Sequence, residues 1–259
     1  MIELTIAGGI AEIVLNAPEK LNSLDEAALA ELETAYDDAA AAAGRGEVRA
    51  LLLRGEGRAF CAGRDIAGVT PETDDAQAYL GGLVEPLLKK MAAFPAPTFA
   101  AAQGACLGVG LGLLLATDVV YVTENAKFGS PFAKLGATLD SGGHWYFAER
   151  LGMHRTLDLI YTAELMSGTE AVAQGMFSRA MPADSLLSET RAIVERVAVG
   201  ATGAFNASKE LVAHIRDQRL GLWASMAEEN TEQARLCKTE DYAEGFRAFQ
   251  EKRAPVFKG

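Results

Sequence analysis

The chain has 259 residues, of which 49% are apolar, and it carries a formal net charge of -11 at pH 7. This length suits one large domain, or one domain with an appendage, and the apolar content suffices for a hydrophobic core. The acidic balance excludes a general nucleic-acid binder, which needs a basic face. The three cysteines have no metal or redox spacing, and no signal peptide, transit peptide or membrane span is evident. We therefore expect a cytoplasmic protein that binds no nucleic acid, no membrane and no metal ion.

The N-terminal third contains signals for strands and for one long helix. Residues 2–6 and 10–15 are predicted to be short strands, because Gly8-Gly9 between them is a hairpin signal. Ser23-Leu-Asp-Glu26 is a capping box, which predicts a helix from Ser23 to about Ala43. The next expected elements are a buried strand, an acidic turn-rich segment and a helix, over 48–53, 69–78 and 79–93.

A glycine-rich stretch, Gln103 to Asp118, follows a predicted buried strand at 97–102, and its residues 111–116 resemble an apolar helix. A strand, a glycine turn and a helix leave backbone N–H groups free at the helix start, where the helix dipole favours negative charge. The spacing G-x-G-x-G is one residue short of the dinucleotide-binding pattern, which argues against that alternative. We predict that the stretch acts through its backbone, with close helix packing as the structural alternative.

The C-terminal half is predicted to be mostly helical. Strands are expected at 118–123 and around Phe128, a short helix over 168–175, and a turn at 179–182. Helices are expected from Ser141 onward, the last four over 183–200, 204–217, 222–236 and 241–252. We divide the chain into a core, residues 1–200, and a C-terminal helical region, residues 201–259.

Five segments stand out in order along the chain: Pro18-Glu-Lys-Leu-Asn-Ser-Leu, Ala59 to Ile66, Gln103 to Asp118, Lys127-Phe-Gly-Ser-Pro and Phe249-Gln-Glu-Lys-Arg. Together they resemble the crotonase (enoyl-CoA hydratase/isomerase) superfamily over the whole chain. The resemblance implies an α/β fold of the crotonase-like (ClpP/crotonase) type, a spiral of β-β-α units with a C-terminal helical trimerisation region. It also implies a homotrimer or a dimer of trimers.

In this superfamily two backbone N–H groups form an oxyanion hole for an acyl-CoA thioester, and the resemblance places them at Ala62 and Val109. It implies that the CoA part of the substrate is bound by Lys20, Leu24, Ala62, Arg64, Asp65, Ile66, Phe249 and Lys252. The last two lie on the C-terminal helix, which can belong to a neighbouring subunit. No cofactor is expected beyond the CoA moiety of the substrate.

The reaction depends on the acids and bases around this oxyanion hole. A hydratase of the superfamily needs two glutamates, whose positions fall on Gly112 and Phe132, so we expect hydration to be minor. Leu135-Gly-Ala-Thr-Leu-Asp140-Ser-Gly-Gly resembles a pattern of the isomerases, closest to the epoxyphenylacetyl-CoA isomerase and enoyl-CoA isomerase branch. Asp140 is therefore predicted to move the proton when a double bond shifts or a ring epoxide opens. It can also act as a helix N-cap.

Other interpretations remain open. The resemblance places Glu85 where 4-chlorobenzoyl-CoA dehalogenase has a general-base histidine, and that enzyme also has residues matching Asp140 and Gly112. Dehalogenation is thus an alternative, although a glutamate on an amphipathic helix is commonly only solvated. A non-catalytic acyl-CoA-binding homologue is another, but it would need no acid at position 140. The remaining candidates for acid–base work fit no catalytic triad; they are His144, His154 and His214.

Overall fold

The computed structural model describes residues 1–129 and 131–259. The strands are β1 (Ile2–Ala7), β2 (Ile10–Leu15), β3 (Ala50–Gly55), β4 (Thr98–Ala102), β5 (Ala105–Leu107), β6 (Val119–Thr123), β7 (Lys127–Gly129), β8 (Met166–Ser167) and β9 (Arg179–Met181). The helices are α1 (Glu26–Gly44), α2 (Ala76–Tyr79), α3 (Glu85–Ala92), α4 (Val109–Leu115), α5 (Gly143–Thr162), α6 (Gly168–Ala173), α7 (Leu186–Ala198), α8 (Thr202–Gln218), α9 (Leu222–Leu236) and α10 (Glu240–Glu251).

The main sheet has the strand order β1-β2-β3-β4-β6-β9. The predicted N-terminal hairpin is confirmed, since β1 and β2 are antiparallel and pair Ile2 with Leu15 and Ala7 with Ile10. The strands that follow β2 in the sheet are parallel. A smaller sheet joins β5, β7 and β8. Since β5 leads directly into α4, this small sheet fixes where that helix begins.

The main sheet is buried on both faces. Leu51 and Leu53 of β3 belong to the core cluster that includes Leu32 of α1, whereas Leu52 belongs to the cluster that includes Val194 of α7. Side chains alternate between the faces of a strand, so one face packs against α1 and the other against α7. This two-sided burial explains why the parallel strands are continuous apolar runs rather than alternating ones.

Helix α1 begins later than the capping box predicts. Its N-cap is Asp25, whose Oδ1 accepts the Ala28 N–H at 2.8 Å. Ser23 is not the cap because the next residue, Leu24, lies in extended backbone and forms a β-bridge with Arg64. A long-range pairing therefore overrides the local capping signal, and it brings the segment before α1 against the candidate site.

Two other elements differ from prediction. The helix expected over 79–93 is divided into α2, a π-helical turn at Leu80–Val84 and α3. Pro86 lies in the first turn of α3 and has no N–H for a regular helical bond, which accounts for the interruption. The turn expected at 179–182 contains β9, which pairs with β6 through Arg179 and Tyr121. A strand of three residues is too short to show periodicity in sequence.

Helices α8, α9 and α10 form the C-terminal region, as predicted from the apolar pattern. Arg49, the residue before β3, connects this region to the sheet through hydrogen bonds. Its guanidinium donates to the carbonyls of Gly200 and Phe257 at 2.5 and 3.2 Å and to Thr202 Oγ1 at 3.1 Å. The boundary expected between residues 200 and 201 falls in the short connection before α8. Within residues 1–129 and 131–259, no helix has the length and apolarity needed to cross a bilayer.

Candidate active site

Two glycine turns meet at the centre of the candidate site. Gly63 follows the segment in which Cys61 hydrogen-bonds to β5, and Gly108 immediately precedes α4. A Cβ added to Gly63 would lie 3.7 Å from the Gly108 Cα, and one added to Gly108 would lie 3.9 Å from the Gly63 Cα. Both residues have positive φ, which glycine adopts without strain. This contact brings Arg64 and Val109, the residues that follow, into the same small region.

Among the residues that the structure describes, no group accepts a hydrogen bond from the N–H of Val109 or of Arg64. Val109 is the first residue of α4, and its N–H has no acceptor in the described part of the chain, as is usual for a first helical turn. The Arg64 N–H likewise donates to no acceptor among residues 1–129 and 131–259. Its neighbours, the Gly63 carbonyl and the Asp65 N–H, are both paired with Leu24. Two free donors on touching turns can stabilise one negatively charged oxygen.

The N–H of Ala62, the other predicted donor, is occupied. It donates to the Leu21 carbonyl at 2.9 Å, so it is not available to a thioester oxygen. The structure therefore contradicts Ala62 as a donor, and the unpaired N–H on this turn is that of Arg64, two residues further on. One sequence feature could have indicated Arg64: it directly follows a glycine, Gly63, just as Val109 directly follows Gly108.

Asp140 lies on the loop that leads into α5. Its Oδ1 accepts a hydrogen bond from Ser141 Oγ at 2.8 Å. Burial raises the pKa of Asp140 above its ordinary value, against the lowering effects of the Ser141 hydrogen bond and of His144 and Arg64. A carboxylate with a raised pKa is a stronger base, which suits it to proton transfer near neutral pH. The α5 N-cap is Gly142 and no side chain caps it, so the predicted capping role of Asp140 is wrong.

The positions at which a hydratase would need glutamates carry no proton-transferring group. Gly112 packs against the Asp140 loop, since a Cβ at Gly112 would lie only 2.5 Å from the Cβ of Ser141. The Phe132 ring covers the second glycine turn, with its Cζ 3.0 Å from where a Gly108 Cβ would be. These two positions therefore contribute no acid or base; Gly112 packs against the loop that carries Asp140, and Phe132 packs on the Gly108 turn.

An open cavity of about 500 Å³ extends from the Asp140 loop towards α3. Its walls are mostly apolar side chains and glycines, which come from the helical segments α2 to α5 and from the loop before α5. The lining includes Leu80, Gly81, Val84, Leu88, Ala92, Gly112, Ala116, Ser141, Gly142 and Tyr146. A cavity with such walls, bounded by Gly112 of α4 and by Ser141, the residue after Asp140, provides space for an acyl group.

Glu85 lines the same cavity but is paired with a cation. Its Oε1 accepts a hydrogen bond from Lys89 Nζ at 2.6 Å, one helical turn further on, and its side chain is 60% exposed. This hydrogen bond lowers the pKa of Glu85. An exposed carboxylate with a lowered pKa is a weak base, so the geometry argues against Glu85 as the general base.

Comparison with known proteins identifies the family. The sequence profile described as "Enoyl-CoA hydratase/isomerase" matches residues 5–259. The chain belongs to this family. It is 36% identical over 258 residues to a Rhodobacter capsulatus protein named "Probable enoyl-CoA hydratase", covering 100% of this chain and 98% of the relative. It is 30% identical over 260 residues to the 1,2-epoxyphenylacetyl-CoA isomerase of Escherichia coli, covering 97% and 95%.

A solved structure gives the same assignment. The enoyl-CoA hydratase of Bacillus anthracis superposes with a TM-score of 0.89 at 29% identity, covering 100% of this chain and 99% of that one. The crotonase-like fold expected from the sequence motifs is thereby confirmed. Membership in the hydratase/isomerase family implies an acyl-CoA substrate. Since the two relatives carry the names of different reactions, the choice of reaction rests on the site residues of this chain.

Three of the residues predicted to bind the CoA part of such a substrate, Lys20, Arg64 and Asp65, lie at one corner of the site, where both cations are paired with carboxylates. Lys20 Nζ lies 3.2 Å from Asp25 and 3.3 Å from Asp65. The Arg64 guanidinium donates to both carboxylate oxygens of Asp74, at 2.7 and 3.0 Å. Two positive and three negative groups thus share this corner of the site, so CoA phosphates would have to compete with carboxylates for the two cations.

The other predicted CoA ligands fall into two places. Leu24 is buried in the bridge with Arg64, and Ile66, next to this corner, is 57% exposed. Phe249 and Lys252 lie on and just after α10, and no hydrogen bond or ion pair of the described residues joins them to that corner. Phe249 is 84% exposed and lines an apolar groove of about 800 Å³ in the C-terminal region. Their role in CoA binding stays a prediction.

Replacement of Asp74 tests the role of Arg64 in CoA binding. Asp74→Asn removes one negative charge from the corner and leaves the shape of the side chain, so the Arg64 guanidinium loses its counter-charge and becomes more available to a phosphate. We expect free CoA to bind about two- to fivefold more tightly at low ionic strength, with the gain fading as salt screens it. Isothermal titration calorimetry at two salt concentrations measures this, with Asp158→Asn, an exposed aspartate on α5, as the matched control. An unchanged affinity at low salt would assign Arg64 to loop structure instead.

Proposed function

We propose that this protein isomerises an acyl-CoA, shifting a double bond or opening a ring epoxide through a thioester enolate. Asp140 moves the proton, while the N–H groups of Val109 and Arg64 hold the thioester oxygen as it gains charge. The observation that carries the proposal is the position of Asp140. It is a half-buried carboxyl group with a raised pKa, on a loop packed against α4, the helix whose first N–H is that of Val109.

The chemistry needs one carboxylate and two donors. The carboxylate removes a proton from the α carbon, and the electron pair of that C–H bond delocalises into the thioester, whose oxygen is held by the two N–H groups. The same proton then returns to the γ carbon, which leaves the double bond conjugated with the thioester. One carboxylate serves both steps, since it is a base in the first and an acid in the second. Oxyanion donors of this kind contribute about 3–4 kcal/mol each in other enzymes.

Hydration of an enoyl-CoA is the second candidate, and the name of the Rhodobacter capsulatus relative favours it. Gly112 and Phe132 argue against it, because neither holds nor activates a water molecule. Hydration by this chain would have to use Asp140 alone, both to activate water and to protonate the α carbon. The relative rates of the two reactions therefore separate the candidates.

Product analysis on three substrate classes tests the proposal. We expect 3-enoyl-CoAs, or the epoxide derived from phenylacetyl-CoA, to be isomerised at least about a hundredfold faster than crotonyl-CoA is hydrated. The reason is that isomerisation needs only the proton relay that the site contains. Mass spectrometry and absorbance of the conjugated thioester measure both products, with Asp140→Asn as the inactive reference. Conversion of crotonyl-CoA to 3-hydroxybutyryl-CoA at rates on the order of 10 per second would favour the hydratase instead.

The C-terminal region supports a further part of the proposal, a homotrimer or a dimer of such trimers. It exposes large apolar side chains that a monomer in water would leave uncovered. They include Phe205, Val212, Leu222, Trp223, Phe246 and Phe249. In such an assembly Phe249 and Lys252 would reach the CoA of a neighbouring subunit.

A further inference from the structure

Ser141, the residue after Asp140, has an unusual backbone conformation. Its φ is +53°, in the left-handed region that glycine and asparagine tolerate far better than serine. This conformation directs its side chain against α4, where the Ser141 Cβ lies 2.5 Å from the place that a Gly112 Cβ would occupy. A disfavoured conformation persists where the surroundings hold it, and such residues concentrate at functional sites. Gly112 thus supplies the space in which Ser141 is held.

The side chain of Ser141 makes the two oxygens of the Asp140 carboxylate unequal, because it hydrogen-bonds to one of them. Its Oγ donates to Oδ1 at 2.8 Å, and no donor among residues 1–129 and 131–259 hydrogen-bonds to Oδ2. Ser141 also lines the acyl cavity. We propose that Ser141 is a positioning residue, which occupies Oδ1 and leaves Oδ2 as the single oxygen that exchanges the proton with the substrate. This inference rests on the proposed isomerase function.

The same hydrogen bond sets how readily Asp140 takes up a proton. A donor to the charged carboxylate favours the charged form and lowers the pKa of Asp140, in opposition to burial. The other polar groups around this carboxyl are the guanidinium of Arg64 beside the glycine turn, the hydroxyl of Tyr79 at the end of α2 and the ring of His144 in α5. None of these is changed by removing the hydroxyl of Ser141, so a shift in the pH profile reports on the serine.

The test is the pH dependence of isomerisation in Ser141→Gly. Glycine accepts the left-handed backbone, so the variant removes the hydroxyl while the loop keeps its conformation. Asp140 must be ionised to act as the base, so activity rises as the pH passes the pKa of Asp140. Without the serine donor we expect the acid limb of kcat/KM to move to higher pH by about one pH unit. We also expect kcat to fall about tenfold, because the carboxylate is less well oriented.

Matched variants make the outcome decisive. Ser188→Ala, which removes an exposed hydroxyl on α7, should leave the profile unchanged, and Ser141→Ala repeats the test if the glycine variant is unstable. A carboxyl-carbon NMR titration of Asp140 should show the same shift without any turnover. An unshifted acid limb and titration in a folded variant would overturn the role of Ser141. Asp140→Asn measured in parallel separates the two proposals, since full activity there would overturn the isomerase mechanism itself.

Discussion

Asp140→Asn is expected to bind acyl-CoA with near-normal affinity and to lose at least about a hundredfold in turnover. Asparagine has almost the same shape, and its Oδ1 can still accept the hydrogen bond that Ser141 donates at 2.8 Å. The loop should therefore keep its conformation, and the variant should remain folded. What is lost is the oxygen that takes the proton from the α carbon and returns it to the γ carbon. Steady-state kinetics with a 3-enoyl-CoA measures the turnover, and calorimetry of acyl-CoA binding measures the affinity.

Glu85→Gln is the matched control for that experiment. Glu85 lines the same cavity, but its carboxylate is exposed and bound to Lys89, so its replacement should change turnover less than about threefold. The contrary pair of results would reassign the base. If Asp140→Asn isomerises at the normal rate while Glu85→Gln is inactive, Glu85 removes the proton and the dehalogenase-like arrangement becomes the better description of the site.

Much of the fold could be predicted from sequence because its signals are local. The N-terminal hairpin follows from Gly8-Gly9 between two apolar runs, and the boundaries expected for α9 match those observed. The errors occur where a distant segment decides the local structure. Ser23 has the sequence of a helix cap, but Leu24 beside it pairs with Arg64, so Asp25 is the N-cap and the helix starts at Glu26. Pairing between segments forty residues apart leaves no periodic trace in either of them.

In the candidate site, too, the sequence predicted some residues correctly but not the contacts between distant segments. The resemblance to the superfamily placed Val109 and Asp140 at positions that the structure brings near each other through Gly112 and Ser141. It placed the second donor at Ala62, because sequence does not reveal that the Ala62 N–H donates to the Leu21 carbonyl. Hydrogen bonds of the backbone are a property of the folded chain. The ion pair of Arg64 with Asp74 could not be predicted from sequence either, since contacts between loops depend on the path of the chain.

Val109→Pro is expected to lower turnover by two to three orders of magnitude while the protein remains folded. Proline has no N–H, so the substitution removes one oxyanion donor without changing any acid or base. Val109 is the first residue of α4, a position at which proline is well tolerated because no intrahelical bond is lost. The preceding residue, Gly108, has ψ −123° and lacks a Cβ, so it also accommodates the ring.

The control for the lost donor is Val109→Ala, which removes most of the buried side chain and keeps the N–H. Val109 is 1% exposed, so this variant loses packing worth about 1–2 kcal/mol of stability. It keeps the N–H and therefore the hydrogen bond to the thioester oxygen. Turnover should therefore fall strongly in the proline variant and little in the alanine variant, with kcat affected more than KM, because the donor acts mainly on the charge that develops in the enolate. Thermal unfolding confirms that both variants are folded at the assay temperature. Equal activity of the two variants would remove Val109 from the oxyanion hole and leave Arg64 as the donor to be tested next.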